Sequence, residues 1–446
     1  MTGTAPRWLP ARDRRILALA LPAIVTLIAD PVMGLVDTAV VGRLGAAELG
    51  GLGLAVAVLS AVSWIFNFLV FGTTSTVARA VGAGDRDAAG RRISHATQVA
   101  VVIGVLVGVV LWVMAPALVR ALGAVEDLIA PATSYLRIRS VGVPFVLLGF
   151  VGHGAFRGVS NTWTPLLVAV AANILNAVCT YLFVFPLGWG IAGAAWATVL
   201  AEALTVVALA ALLHQVKLPL RGHGRPNRRQ LLALATVSRD LFLRTGGLLL
   251  GLLAVSAAAA RVDAVTAAAH QVLFQVFMLI SFLMDGFAIS GQAIVGTALG
   301  AGDEPEARAT GRALMRWGVG GGVAMALALF AVSSAVPRLL TDDQAVLAAV
   351  GGTWWLVALG QVIAGPVFAL DGVLMGAEDF AFLRTWTIVA AVVGGVGAQL
   401  VVTAGGGLLG IWVAVQALML TRLISVVVRL GGEGWARTGA KLVNEP

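Results

Sequence analysis

Five acidic residues lie inside long apolar stretches of this 446-residue chain: Asp30, Asp37, Glu202, Asp285 and Asp371. A carboxylate at membrane depth costs about 2.5–3.5 kcal/mol on insertion scales, so it usually faces a cavity and has a task. Burial disfavours the charged form of such a group, which brings proton exchange within reach. Asp30 and Asp37 are two helical turns apart and share one face with Thr26 and Gly34. Pro22 and Pro31 occupy the same stretch. Each removes a backbone hydrogen bond and crowds the preceding turn, so the helix can bend. An acid whose charge depends on pH, on a helix able to bend, has the makings of a proton switch, and Asp37 is the first candidate for it. Asp30 is the weaker one, because the residue before a proline sits at a local distortion.

The other polar groups at depth are less distinctive. Asn173, Asn176, Thr180 and Tyr181 form a polar stripe in the apolar run 164–186, with Asn176 and Thr180 four apart on one side, and Thr198 in the next run can join them. A shift of 218 residues places Asp371 on His153 and Asp285 on Asn67. Polar hydrogen bonding between helices explains these sets about as well as a cavity does, and Glu202 could equally bond a neighbouring helix. Trp64, Phe66, Phe274 and Phe277 could line a cation-accepting pocket, but ordinary helix contacts are the stronger expectation. No metal site is expected, since the five His are scattered and Cys179 is the one cysteine. No GxxxxGK[ST] loop is present, which argues against ATP hydrolysis by this chain.

The elements that must hold these residues are membrane helices. The chain is 59% hydrophobic and 12% charged, whereas soluble domains carry about 25% charged residues. Twelve apolar runs each reach the roughly 20 residues that cross a bilayer. Nothing alternates as barrel strands would. The first run is longer than a secretory h-region and is expected to be an uncleaved span. With the N-terminus taken as cytoplasmic, 24 Lys and Arg fall inside and 6 outside, so both termini are expected in the cytoplasm and the net charge of +8 reads as a topology signal. That count treats Arg79, Arg157, Arg244 and Arg422 as inside, and Arg137 and Arg139 as outside.

The basic stretch 217–230 divides the runs six and six. The 218-residue shift also lays Gly82-Ala-Gly-Asp85 on Gly300-Ala-Gly-Asp303, Gly154 and Gly158 on Gly372 and Gly376, and Arg43 on Arg261. The expected fold is an all-α membrane protein of 12 transmembrane helices in two six-helix lobes, 1–216 and 231–446, joined by the cytoplasmic linker 217–230. An even number of helices per repeat relates the lobes by a pseudo-two-fold axis along the membrane normal.

The motifs Ala20-Leu-Pro22, Gly34-Leu-Val-Asp-Thr-Ala-Val-Val-Gly42 and Gly82-Ala-Gly-Asp85 resemble those of the multidrug and toxic compound extrusion (MATE) family. Asn173-Ile-Leu-Asn176, Gly193-Ala-Ala-Trp-Ala-Thr198 and Leu370-Asp-Gly372 look like its DinF-like branch, and the similarity runs over essentially the whole chain. The resemblance implies a secondary antiporter, not an enzyme, that exports organic and often cationic compounds against an inward proton or sodium flux. Asp37 then corresponds to the coupling acid, Pro22 to the proline at which the first helix bends, and Asn176, Ala194 and Thr198 to members of the cation network.

The family's second acid is Thr180 here. A sodium ion at Asp37 would have one formal charge to offset its dehydration, whereas a proton needs only one carboxylate. Proton coupling is therefore favoured over sodium. The run 241–260 also lacks the acid used by some sodium-coupled members. Asp30, Asn173, His153, Asp285 and Asp371 remain candidate cavity residues. A lipid-linked oligosaccharide flippase is a further alternative. It would need Arg or Lys facing a cavity, and nearly all basic residues read as lying at span ends. No cofactor beyond the coupling ion, no nucleic acid partner, a lipid surround, a monomer and a place in the cell membrane complete the expectations.

Overall fold

The computed structural model describes residues 9–216, 218 and 228–439, without the side chains of 30–32 and 228–235. Most of the basic stretch 217–230 and the side chain of Asp30 therefore lie outside the described residues. The helices are α1 (Ala11–Val41), α2 (Ala46–Phe66), α3 (Phe68–Gly82), α4 (Arg86–Ala121), α5 (Glu126–Gly158), α6 (Trp163–Val184), α7 (Gly190–Gln215), α8 (Arg228–Val262), α9 (Ala264–Gly300), α10 (Glu304–Ala331), α11 (Val336–Leu340), α12 (Gln344–Gly376), α13 (Phe380–Thr403) and α14 (Leu408–Gly431). Twelve spans are long and apolar enough to cross a membrane, with α2 and α3 making one span interrupted at Asn67. On α4, Val102, Leu106, Val109 and Val113 are exposed along one stripe, the pattern of a helix whose outer surface is solvated by lipid tails.

Two compact units result, Val25–Leu232 and Met1–Ile24 with Ala233–Pro446. The second boundary follows the expected linker, whereas the first falls inside α1, two residues after Pro22. The start of α1 is held by the C-terminal helices. Arg12 makes a two-pronged ion pair with Glu306 on α10, at 3.2 and 2.6 Å, and Asp13 accepts from Trp317 Nε1 at 2.9 Å. A side chain at Gly286 of α9 would collide with Ile24 and Ala20.

The internal repeat is written into the packing of each unit. Gly154 of α5 leaves no room for a Cβ against the Val70 carbonyl of α3, and Gly372 of α12 is in the same position against the Ala288 carbonyl of α9. Gly158 and Gly376 repeat this against Thr74 and Gln292. Every one of these partners is 218 residues from its counterpart. Gly84 and Gly302 turn the chain at φ of 74° and 81°, which glycine adopts without a side-chain clash. Asp85 and Asp303 then cap the next helices through the amides of Ala88 and Glu306. Ser160 and Glu378, also 218 apart, share a left-handed φ of 59°.

The basic residues need correction. Arg79 and Arg157 are buried in the last turns of α3 and α5, at span ends as expected, whereas Arg139, Arg244 and Arg422 lie inside the α5, α8 and α14 spans. The long apolar stems of Arg139, Arg244 and Arg422 and the acids they meet let these three charges sit below the span ends.

Candidate functional site

In the N-terminal unit, α1, α6 and α7 bring Asp37, Asn176, Thr180, Ala194 and Thr198 together. The small residues at the start of α7 permit this, since a Cβ at Gly193 would meet the Phe183 backbone of α6 at 2.8 Å. Asp37 is 6% exposed, and Asn176, Thr180 and Thr198 are more deeply buried. Thr180 Oγ1 donates to Asp37 Oδ1 and Thr198 Oγ1 lies against Oδ2, both at 3.2 Å. Asn176 Nδ2 donates to Thr198 Oγ1 at 3.0 Å. Ala194 contributes its carbonyl, 3.1 Å from the same hydroxyl.

Thr198 has one proton and two acceptors within reach, Asp37 Oδ2 and the Ala194 carbonyl. When Asp37 is ionised the hydroxyl must divide its proton between them. When Oδ2 carries a proton, Asp37 can donate to Thr198, whose second lone pair takes the Asn176 amide while its own proton goes to Ala194. Every hydrogen-bonding capacity of the hydroxyl is then used. Asn176 Oδ1 is buried without a partner.

Beside this network Arg139 of α5 and Glu202 of α7 form a fork-to-fork pair with two 2.7 Å hydrogen bonds. Its charges act on Asp37. The approach depends on Gly142, where a Cβ would stand 2.6 Å from Glu202 Oε2. Sequence reading left Glu202 without a partner and placed Arg139 outside. The available signal was that each charge stands alone in an apolar run, which is costly unless the two meet.

The acid of the C-terminal unit has different company. Asp371 of α12 is 3% exposed, and its Oδ2 accepts from both Arg244 of α8 and Arg422 of α14 at 2.5 Å. The Arg422 guanidinium lies over the Phe368 ring, 5.4 Å from its centroid.

The remaining candidates scatter. Asn173 donates to the Ala29 carbonyl of α1 at 2.9 Å, tying α6 to the proline-containing stretch. His153 and Asp371 belong to different units, and His153 Nδ1 has no partner. Asp285 is half-buried on α9. Phe274 and Phe277 pack with His270 and Trp412 in the C-terminal core, and Phe66 lies against Phe68. Those three are helix contacts. Pro22 is inside a continuous α1. Among the described residues no three His, Cys, Asp or Glu are grouped to hold a metal.

The family model described as MatE matches residues 22–182 and 248–400, most of the chain. The chain belongs to the MATE family. It is 33% identical to Protein DETOXIFICATION 44, chloroplastic, of Arabidopsis thaliana over 95% of its own length and 82% of that protein. DNA damage-inducible protein F of Escherichia coli strain K12 is 31% identical, covering 86% of this chain and 85% of that one. A crystal structure of a MATE in the bent conformation shares the fold with a TM-score of 0.88 at 20% identity, over 95% of this chain and 96% of the other. Members of the MATE family are membrane transporters, so this is a multi-pass transporter of small organic and toxic compounds and not an enzyme.

Proposed function

We propose that this MATE transporter exports small organic compounds in exchange for inward protons, with Asp37 as the coupling acid. The supporting observation is that buried Asp37 is held by neutral donors only, Thr180 and Thr198. A proton arriving from outside neutralises Asp37 at Oδ2, and the Thr198 proton passes wholly to Ala194. The charge that held α1 against α6 and α7 is gone, α1 bends near Pro22, and the compound is released outside.

Cationic cargo, implied by the resemblance, would be drawn to Asp37. The transporter acts as a monomer in the cell membrane, surrounded by lipid, with both termini in the cytoplasm. Sodium coupling is the competing reading, because Asn176, whose amide bonds Thr198, has a buried Oδ1 with no partner among the described residues. The flippase reading gains Arg244 and Arg422 as basic residues inside their spans, but both already bond Asp371, and the family's own activity is the reading kept. The test is dye export from vesicles carrying Asp37→Asn, with pH and sodium gradients imposed separately. Export driven by pH in wild type and abolished in the variant is expected. Full activity on a sodium gradient at fixed pH would reverse the choice of ion, and undiminished pH-driven export by the variant would remove Asp37 from the mechanism.

A further inference from the structure

Two arginines and one aspartate make an incomplete charge balance inside the C-terminal unit. Arginine does not give up its proton in a protein, so Arg244, Arg422 and Asp371 together carry one net positive charge. All three are over nine-tenths buried. An uncompensated charge in a low dielectric is costly, and the usual remedy is a second ion of opposite sign. Two of the acids near in sequence pair elsewhere, Asp240 with Arg239 and Arg384 and Asp379 with Arg429, and buried Glu378 has an interaction of its own.

The hydrogen bonding is incomplete in the same place. Among the described residues the Nε–H groups of Arg244 and Arg422 are both buried without an acceptor, and Arg422 Nη1 reaches only the Met419 sulfur at 3.7 Å. Guanidinium forks match planar carboxylates, which supply two oxygens and one negative charge. A carboxylate would cancel the excess charge and give the orphaned donors acceptors. The Phe368 ring against Arg422 offers an apolar wall to the rest of an acid.

We propose that Arg244 and Arg422, set by Asp371 and walled by Phe368, form a binding site for the carboxylate of a small organic anion. The anion's role as cargo rests on the export reading; its binding does not. Asp371 orients the two guanidiniums and limits their net charge.

The test uses the purified full-length protein with benzoate as probe, followed by calorimetry and thermal unfolding at constant chloride, with benzylammonium as control. Saturable binding and stabilisation by benzoate, and none by benzylammonium, are expected. Arg244→Gln and Arg422→Gln should each weaken binding by about tenfold or more, equivalent to about 1.4 kcal/mol. Arg422→Lys keeps the charge for folding but loses the fork, and should weaken binding too. Asp371→Asn removes the competing carboxylate and should bind about tenfold more tightly, with its lowered unfolding temperature restored by benzoate. A purely structural triad would not give that opposite sign. Benzoate binding that is absent, no stronger than that of added chloride or phosphate, or unchanged in both Gln variants would overturn the site. Asp37→Asn should bind benzoate as wild type does, so a failure of the export mechanism would leave this readout standing.

Discussion

Asp37 and Asp371 are buried acids in the two units of one duplicated chain, and their surroundings are opposite. Asp37 meets hydroxyl groups, with the Arg139 charge nearby already answered by Glu202. Asp371 meets two guanidiniums directly. An acid held by neutral donors needs a mobile proton or cation to lose its charge, whereas one held by permanent cations is already neutralised and leaves positive charge over. The same backbone packing occurs in both units, while the side chains around the two acids differ, and the proposed cation exchange at Asp37 and anion binding beside Asp371 both start from that difference.

The largest expected effect on this contrast is the loss of pH-driven export in Asp37→Asn, with unfolding close to that of wild type because an amide still bonds both threonines. Next comes Asp371→Ala, which strands two buried cations. Breaking a buried ion pair typically costs about 3–5 kcal/mol, so thermal unfolding without added anion should show a large loss, and similar stability of the Asp37 and Asp371 variants would dissolve the comparison. Thr180→Asp tests whether a second acid is what the N-terminal site lacks for sodium. Sodium-stimulated export should appear in that variant and not in wild type, measured at fixed pH. Gly142→Ala is the mildest, forcing Glu202 off Arg139. A loss of about 1–2 kcal/mol in stability is expected, in the usual range for a mutation that disturbs one buried contact, with a few-fold slower export. Unchanged export would make the Arg139–Glu202 pair a structural brace only.

Much of the fold was legible because lipid imposes a simple rule: each span must be long, apolar and helical. The repeat was legible for a related reason. Gly154, Gly158, Gly372 and Gly376 stand where backbones touch, and a side chain there would separate the helices. Asp37 showed itself as an acid in an apolar run, and the i, i+4 spacing of Asn176 and Thr180 gave their shared side. The ion pairs were hidden, because Arg139 is 63 residues from Glu202, and Asp371 is 127 from Arg244 and 51 from Arg422. Counting basic residues by side assigned these arginines to span ends, since a count carries no helix rotation. The division of α1 between the units was hidden too, because Pro22 two residues earlier suggests a bend but not a change of packing partners.

Sequence by itself determined where the helices run, that they come in two related sets and that the first span carries acids at depth, because hydropathy, spacing and glycine act locally along the chain. Only the tertiary structure decided which charges meet. A carboxylate's chemistry depends on whether hydroxyls or guanidiniums arrive within about 3 Å of it, the range of a hydrogen bond, and that depends on how distant helices are turned toward one another.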